Sequence, residues 1–96
     1  MITRIYRVRI KPALRPTFEP LFETVARASV ADHPGCTRVT VGAPTPGAPD
    51  EYAMISEWDG PASLTAFAGA DWSVPHIPDG MAHFVDACWV HHFEHM

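Results

Sequence analysis

Apolar and polar positions alternate over the first eleven residues. Ile2, Arg4, Tyr6, Val8 and Ile10 fall on one side, and Thr3, Ile5, Arg7, Arg9 and Lys11 on the other. This predicts a strand with one mainly apolar face, stopped by Pro12. The period then changes. Phe18, Leu21, Phe22, Val25 and Ser29 recur at three and four, predicting a helix with a stripe that covers a sheet. Thr17 is its expected cap, Pro20 falls in its first turn, and His33-Pro34-Gly35 stops it. Alternation returns over 36 to 42, with Thr37, Val39 and Val41 on one side. Three prolines and a glycine between Ala43 and Asp50 mark a long hairpin turn. The return strand, 51 to 58, sets Tyr52, Met54, Ser56 and Trp58 against Ala53, Ile55 and Glu57.

Asp59-Gly60-Pro61 predicts a second helix with Asp59 as cap, Leu64, Phe67 and Ala68 as its stripe, and Gly69 as terminator. Ala70 to Pro78 is irregular. A short helical turn then buries Met81, Phe84 and Val85, and the last strand runs from 87 to 95. The order β-α-β-β-α-β with right-handed crossovers predicts an α+β fold of the ferredoxin-like, split β-α-β type. It has an antiparallel four-stranded sheet with both helices on one face. Residues 1 to 96 are read as one domain, without repeat or linker.

The uncovered sheet face would carry Ile5, Ala53 and Ile55 beside Arg7, Arg9, Lys11 and Glu57, with Arg7 or Arg9 paired to Glu57 across the strands. Packing that face on a second copy buries its apolar part, so a homodimer is expected. Charge adds to this picture. All seven basic residues lie at or before Arg38, against three acids, a net +4. The remainder holds eight acids and no Lys or Arg, a net −8. Pairing between the halves, or between copies, explains this better than nucleic acid, which would need an uncompensated basic surface. No apolar run approaches the roughly 20 residues that span a bilayer. The charged start, Met1-Ile2-Thr3-Arg4, lacks a signal-peptide core, so no membrane partner and a cytoplasmic location are expected. Cys36 and Cys88 read as free thiols.

Ile10-Lys11-Pro12, His33-Pro34-Gly35-Cys36, Ser56-Glu57-Trp58-Asp59, Leu64-Thr65-Ala66-Phe67-Ala68-Gly69 and Val90-His91-His92-Phe93-Glu94 follow one another in order. With that order and spacing, the chain resembles the antibiotic-biosynthesis-monooxygenase family of dimeric α/β-barrel proteins over nearly its whole length. The resemblance implies a pocket between helices and sheet in each subunit. Some members oxidise polycyclic phenols or quinols with molecular oxygen, without metal or flavin; related members bind and degrade haem. It makes Trp58 a pocket residue, while Met54 and Leu64 stand where the aromatic-oxidising members have asparagine and tyrosine. Where haem degraders have asparagine, tryptophan and histidine, this chain has Tyr6, Phe67 and His76.

Five of six histidines lie at or after position 76. His76, in the irregular segment, is a candidate base for a phenolic proton, because imidazole titrates near neutrality. Its plain alternative is a loop histidine bonded to backbone. His92 matches the family's histidine-aromatic-glutamate ending and is the second candidate. His92 and Glu94 stand roughly 7 Å apart on a strand, with no third ligand evident, so no metal site is expected. Tyr6, Trp58, Phe67 and Trp72 are expected to converge as flat walls, although aromatics are more often simply core. The expected activity is oxidation of a small aromatic or quinol-type substrate by oxygen, needing no cofactor. The alternative is a non-catalytic dimeric binder of a planar hydrophobic ligand, haem among them.

Overall fold

The computed structural model describes residues 1–96. It shows an α+β fold of ferredoxin-like type: four antiparallel strands in the order β2-β3-β1-β4, with helices across one face. Strand β1 spans Ile2–Ile10, β2 Cys36–Gly42, β3 Glu51–Trp58 and β4 Val85–Glu94. Period-two alternation decides which side is buried. Ile2, Arg4, Val8 and Ile10 of β1 and Tyr52, Met54, Ser56 and Trp58 of β3 all lie beneath the helices. Val39 and Val41 of β2 pack on the same core. Thr37 does not join them, because a register shift between Cys36 and Arg38 turns it outward. Its hydroxyl donates instead to the Glu57 carbonyl at 3.2 Å.

The first helix starts earlier than its expected Thr17 cap. A 3-10 turn at Pro12–Leu14 leads into α1, Arg15–Leu21, so Thr17 is already helical and Pro20 sits inside. Proline cannot donate to the carbonyl one turn back, and its ring crowds that carbonyl. The helix accommodates this by widening: Phe22–Ala26 is a π-helical turn before α2, Arg27–Ala31. The wide turn resets the phase. Phe18, Phe22, Ala26 and Val30, each four apart, all reach the core, whereas Val25 and Ser29 of the expected stripe face solvent.

Helix α3, Pro61–Ala68, is entered from Gly60 rather than Asp59, one residue later than expected, and ends at Gly69 with φ 87°. Leu64 is its fully buried residue. The segment from Ala70 is irregular up to a 3-10 turn at Ala82–Phe84, where Met81 and Phe84 close the core. No helix is long and apolar enough to cross a membrane.

Arg7 and Arg9 do not pair with Glu57, because register places Arg7 opposite Ala53 and Arg9 opposite Glu51. Arg7 makes a two-pronged bond to Glu51 at 2.9 and 3.0 Å, Arg9 meets Asp86 at 3.1 Å, and Glu57 faces Arg38 and His95. Cys36 and Cys88 are free thiols.

Candidate active site

Sheet register builds the site one row at a time. Beneath the helices, one row runs Cys36, Trp58, Ile2, Glu94; another runs Val41, Met54, Tyr6, Val90. The row between them is different: Val39, Ser56, Arg4, His92. Three neighbouring strands thus place polar side chains on an otherwise apolar face. Arg4 is 3 % exposed and Ser56 2 %.

Above this row lies a hollow of about 550 Å³, counted with its open mouth. Arg4, Tyr6, Met54 and Ser56 form its floor, Phe18, Phe22, Ala26 and Val30 one wall, and Phe67, His76, Ile77 and Met81 the other. A water-sized sphere can occupy only about 30 Å³ of the hollow, room for about two waters, so a bound ring has to part the walls.

Of the six candidate residues, Tyr6, Phe67 and His76 come together here. The His76 ring lies 4.8 Å from Phe67, centroid to centroid, and makes no hydrogen bond within the chain. Trp58 does not line the hollow. It is fully buried one layer down, stacked on Phe67 at 5.0 Å, with its Nε1–H donating to Ser56 Oγ at 2.9 Å. Being the largest core-facing side chain at the end of β3, it fills the space under α3 and supports the wall.

Trp72 and His92 lie in a more open neighbouring hollow with Ile2, Pro61, Phe93 and Glu94, their rings 5.4 Å apart. Trp72 Nε1–H donates to Thr65 Oγ1 at 3.0 Å, which ties the irregular segment to α3. Arg4 bridges the two hollows: its Nη1 lies 3.1 Å from the Trp72 carbonyl and 3.0 Å from His92 Nε2. Arginine only donates, so His92 Nε2 is the acceptor and its proton sits on Nδ1. Burial, then Arg4 and His91, push the His92 pKa below its ordinary value, favouring this neutral form. Burial pushes the Tyr6 phenol up, so it stays protonated. No three His, Cys, Asp or Glu side chains converge on a point.

Arg4 and Ser56 were not among the candidates the sequence suggested. The signal was there: both are polar residues at core-facing positions of predicted strands, where burial demands a reason.

The model of the antibiotic biosynthesis monooxygenase family matches residues 1–87. No curated protein matches the sequence. Among solved structures, a protein from Deinococcus radiodurans assigned to the same family aligns over 100 % of this chain and 93 % of its own, at 14 % identity and a TM-score of 0.76. One from Nitrosomonas europaea aligns over 100 % and 99 %, at 12 % identity and 0.77. The haem degrader MhuD of Mycobacterium tuberculosis, with two haems bound in its active site, aligns over 98 % and 94 %, at 16 % identity and 0.71. At such identities these likenesses speak for the fold alone. The match along nearly the whole sequence decides the family: this chain belongs to the antibiotic biosynthesis monooxygenases.

Proposed function

We propose that the protein oxidises a small aromatic phenol or quinol with molecular oxygen, the substrate lying against Phe67 in the main hollow and His76 acting as base. The observation that carries this reading is His76 itself, an imidazole on an aromatic-walled hollow with neither nitrogen engaged in the chain. His92 is the weaker base, since Nε2 already accepts from Arg4. Trp72 walls the adjoining hollow, and Trp58 acts from behind Phe67.

The chemistry asks little of the protein. Imidazole takes the hydroxyl proton, and the phenolate passes one electron to oxygen. The resulting radical and superoxide join at a ring carbon, and loss of water from the hydroperoxide leaves a carbonyl. One oxygen atom ends in the quinone, the other in water, and oxygen is the sole oxidant. The walls fix the ring and exclude bulk water. The uncovered sheet face, with Ile55, Trp89 and Phe93 exposed, fits the proposal of a homodimer packed back to back.

Oxygen uptake with a panel of naphthols and hydroquinones tests the activity. Uptake of one oxygen per quinone, without peroxide release, is expected, falling at least tenfold in His76→Ala. Equal rates in wild type and the His76→Ala, His92→Ala double variant would overturn it.

A second reading, binding of a planar ligand such as haem without turnover, draws on His76 as an axial nitrogen and on the likeness to MhuD. A porphyrin is several times larger than a phenol and would need the walls parted further, with the 76–81 segment moved outward. A Soret band on adding haemin, lost in His76→Ala, would favour this reading.

A further inference from the structure

Seven basic residues serve this chain, and Arg4 alone among them is buried. Arg7, Arg9, Arg15 and Arg38 each face a carboxylate within 4 Å, whereas Arg4 faces none. Its neighbours are a carbonyl and a neutral imidazole, both at Nη1, and the Phe67 ring, 5.7 Å from Cζ. Nε and Nη2 have no partner in the protein. No wholly enclosed side-chain nitrogen or oxygen of the chain lacks a partner, so these two nitrogens keep some accessible surface, and Arg4 lines the main hollow. A buried cation without a counter-charge is costly. It persists where something else supplies the negative charge.

We propose that Arg4 holds the ionised oxygen of the substrate, so that the main hollow selects aromatic phenolates over neutral rings. This rests on the oxygenase reading above and narrows its substrate. The free N–H groups of Arg4 supply the charge. The Tyr6 hydroxyl, which bonds to nothing in the chain, and Ser56 Oγ, which already accepts from Trp58, offer O–H donors to the same anion. Phe67 lies under the guanidinium and beside His76, so a ring stacked there would present its oxygen to the cation and its proton to the base. Holding the phenol ionised also keeps it in the form that donates an electron to oxygen. The groups facing Arg4 are His92, Tyr6 and, across the hollow, His76; no carboxylate lines it.

4-Nitrophenol is a direct probe, because it is yellow only when ionised, and nitrobenzene is its neutral control. With protein in excess, the pKa of the bound phenol should fall by about one to three units in wild type. The drop should disappear in Arg4→Met, survive in part in Arg4→Lys, and persist in His92→Gln, which removes the nearest titrating neighbour. Nitrobenzene affinity should differ less than threefold between wild type and Arg4→Met. A bound pKa that is not lowered in wild type, or no binding of the phenol to wild type, overturns the assignment whether or not the variants fold; so does an undiminished shift in Arg4→Met. If the shift depends on Arg4 but no quinol draws oxygen, the anion site stands and the oxygenase reading falls. If oxygen is consumed without the shift, only the anion site falls.

Discussion

Arg4 and His92 hold each other in definite chemical states, and both states can be read in solution. The guanidinium needs an acceptor at Nη1, and His92 can accept only while neutral. Burial first, then the charges of Arg4 and His91, hold its folded pKa below the 6.5 of the free side chain. As pH falls through about 6.5, the unfolded chain binds this proton first, and stability declines until the folded pKa is passed. We expect the melting temperature of wild type to drop between pH 7 and pH 5, and the drop to shrink in His92→Gln. Glu51, held below its ordinary pKa by its bond to Arg7, contributes stability that is lost only at lower pH, below about 4.5. The same residue pair yields a second expectation. Burying a cation without a counter-charge is costly, and an apolar side chain of similar length removes that cost. Arg4→Met should unfold in urea at a midpoint no lower than wild type, even though the bound phenol loses its counter-charge.

At the scale of elements, alternation was legible and helix phase was not. Strand periodicity has a fixed step of two, so the buried faces of β1 and β3 followed residue by residue. Helix phase accumulates. One proline inside the first helix and the π turn after it moved the stripe from Val25 and Ser29 to Ala26 and Val30. The bulge at Thr37 is the same kind of event in a strand. Positions facing the hollow were legible where the element was: Tyr6 and Phe67 reach it, whereas Trp58, at the strand end, is taken up by the core beneath α3. The stop signal at His33-Pro34-Gly35 proves to be a junction as well. Gly35 has φ +89°, its carbonyl accepts from Asp59 N–H at 2.9 Å, and a Cβ there would collide with Ser63 at the start of α3. His33 packs against both Trp58 and Phe67. Gly35→Ala should therefore destabilise by about 2–4 kcal/mol, combining left-handed strain with the clash. It should also loosen the Phe67 wall, read as faster amide exchange in α3 than in the first helix.

For the molecule as a whole, the uneven distribution of charge is used internally. All four Arg–carboxylate pairs join a basic residue from the first 38 positions to an acid from the later part. Exposed pairs of this kind contribute little each. On the uncovered sheet face, however, they frame apolar surface. Arg7 and Arg9 lie over Trp89 at 5.1 and 5.7 Å, Ile5 and Ile55 stand opposite each other in the register, and Phe93 is 57 % exposed. Cations stacked on an indole keep water from its face without closing the patch, and exposed apolar surface rimmed by charges is what we propose a two-fold dimer buries. Sedimentation at micromolar concentration should give twice the 10.6 kDa chain mass. Ile55→Asp, with Phe93→Asp, would set unpaired carboxylates opposite one another across the axis and should yield single chains. Because the hollow opens on the other side of the sheet, those chains should still bind 4-nitrophenol with a lowered pKa, at an affinity reduced by no more than the loss of sheet rigidity requires. Wild type sedimenting as one chain would remove the dimer. A dissociated variant that no longer binds the phenol would instead show that the second copy helps shape the hollow.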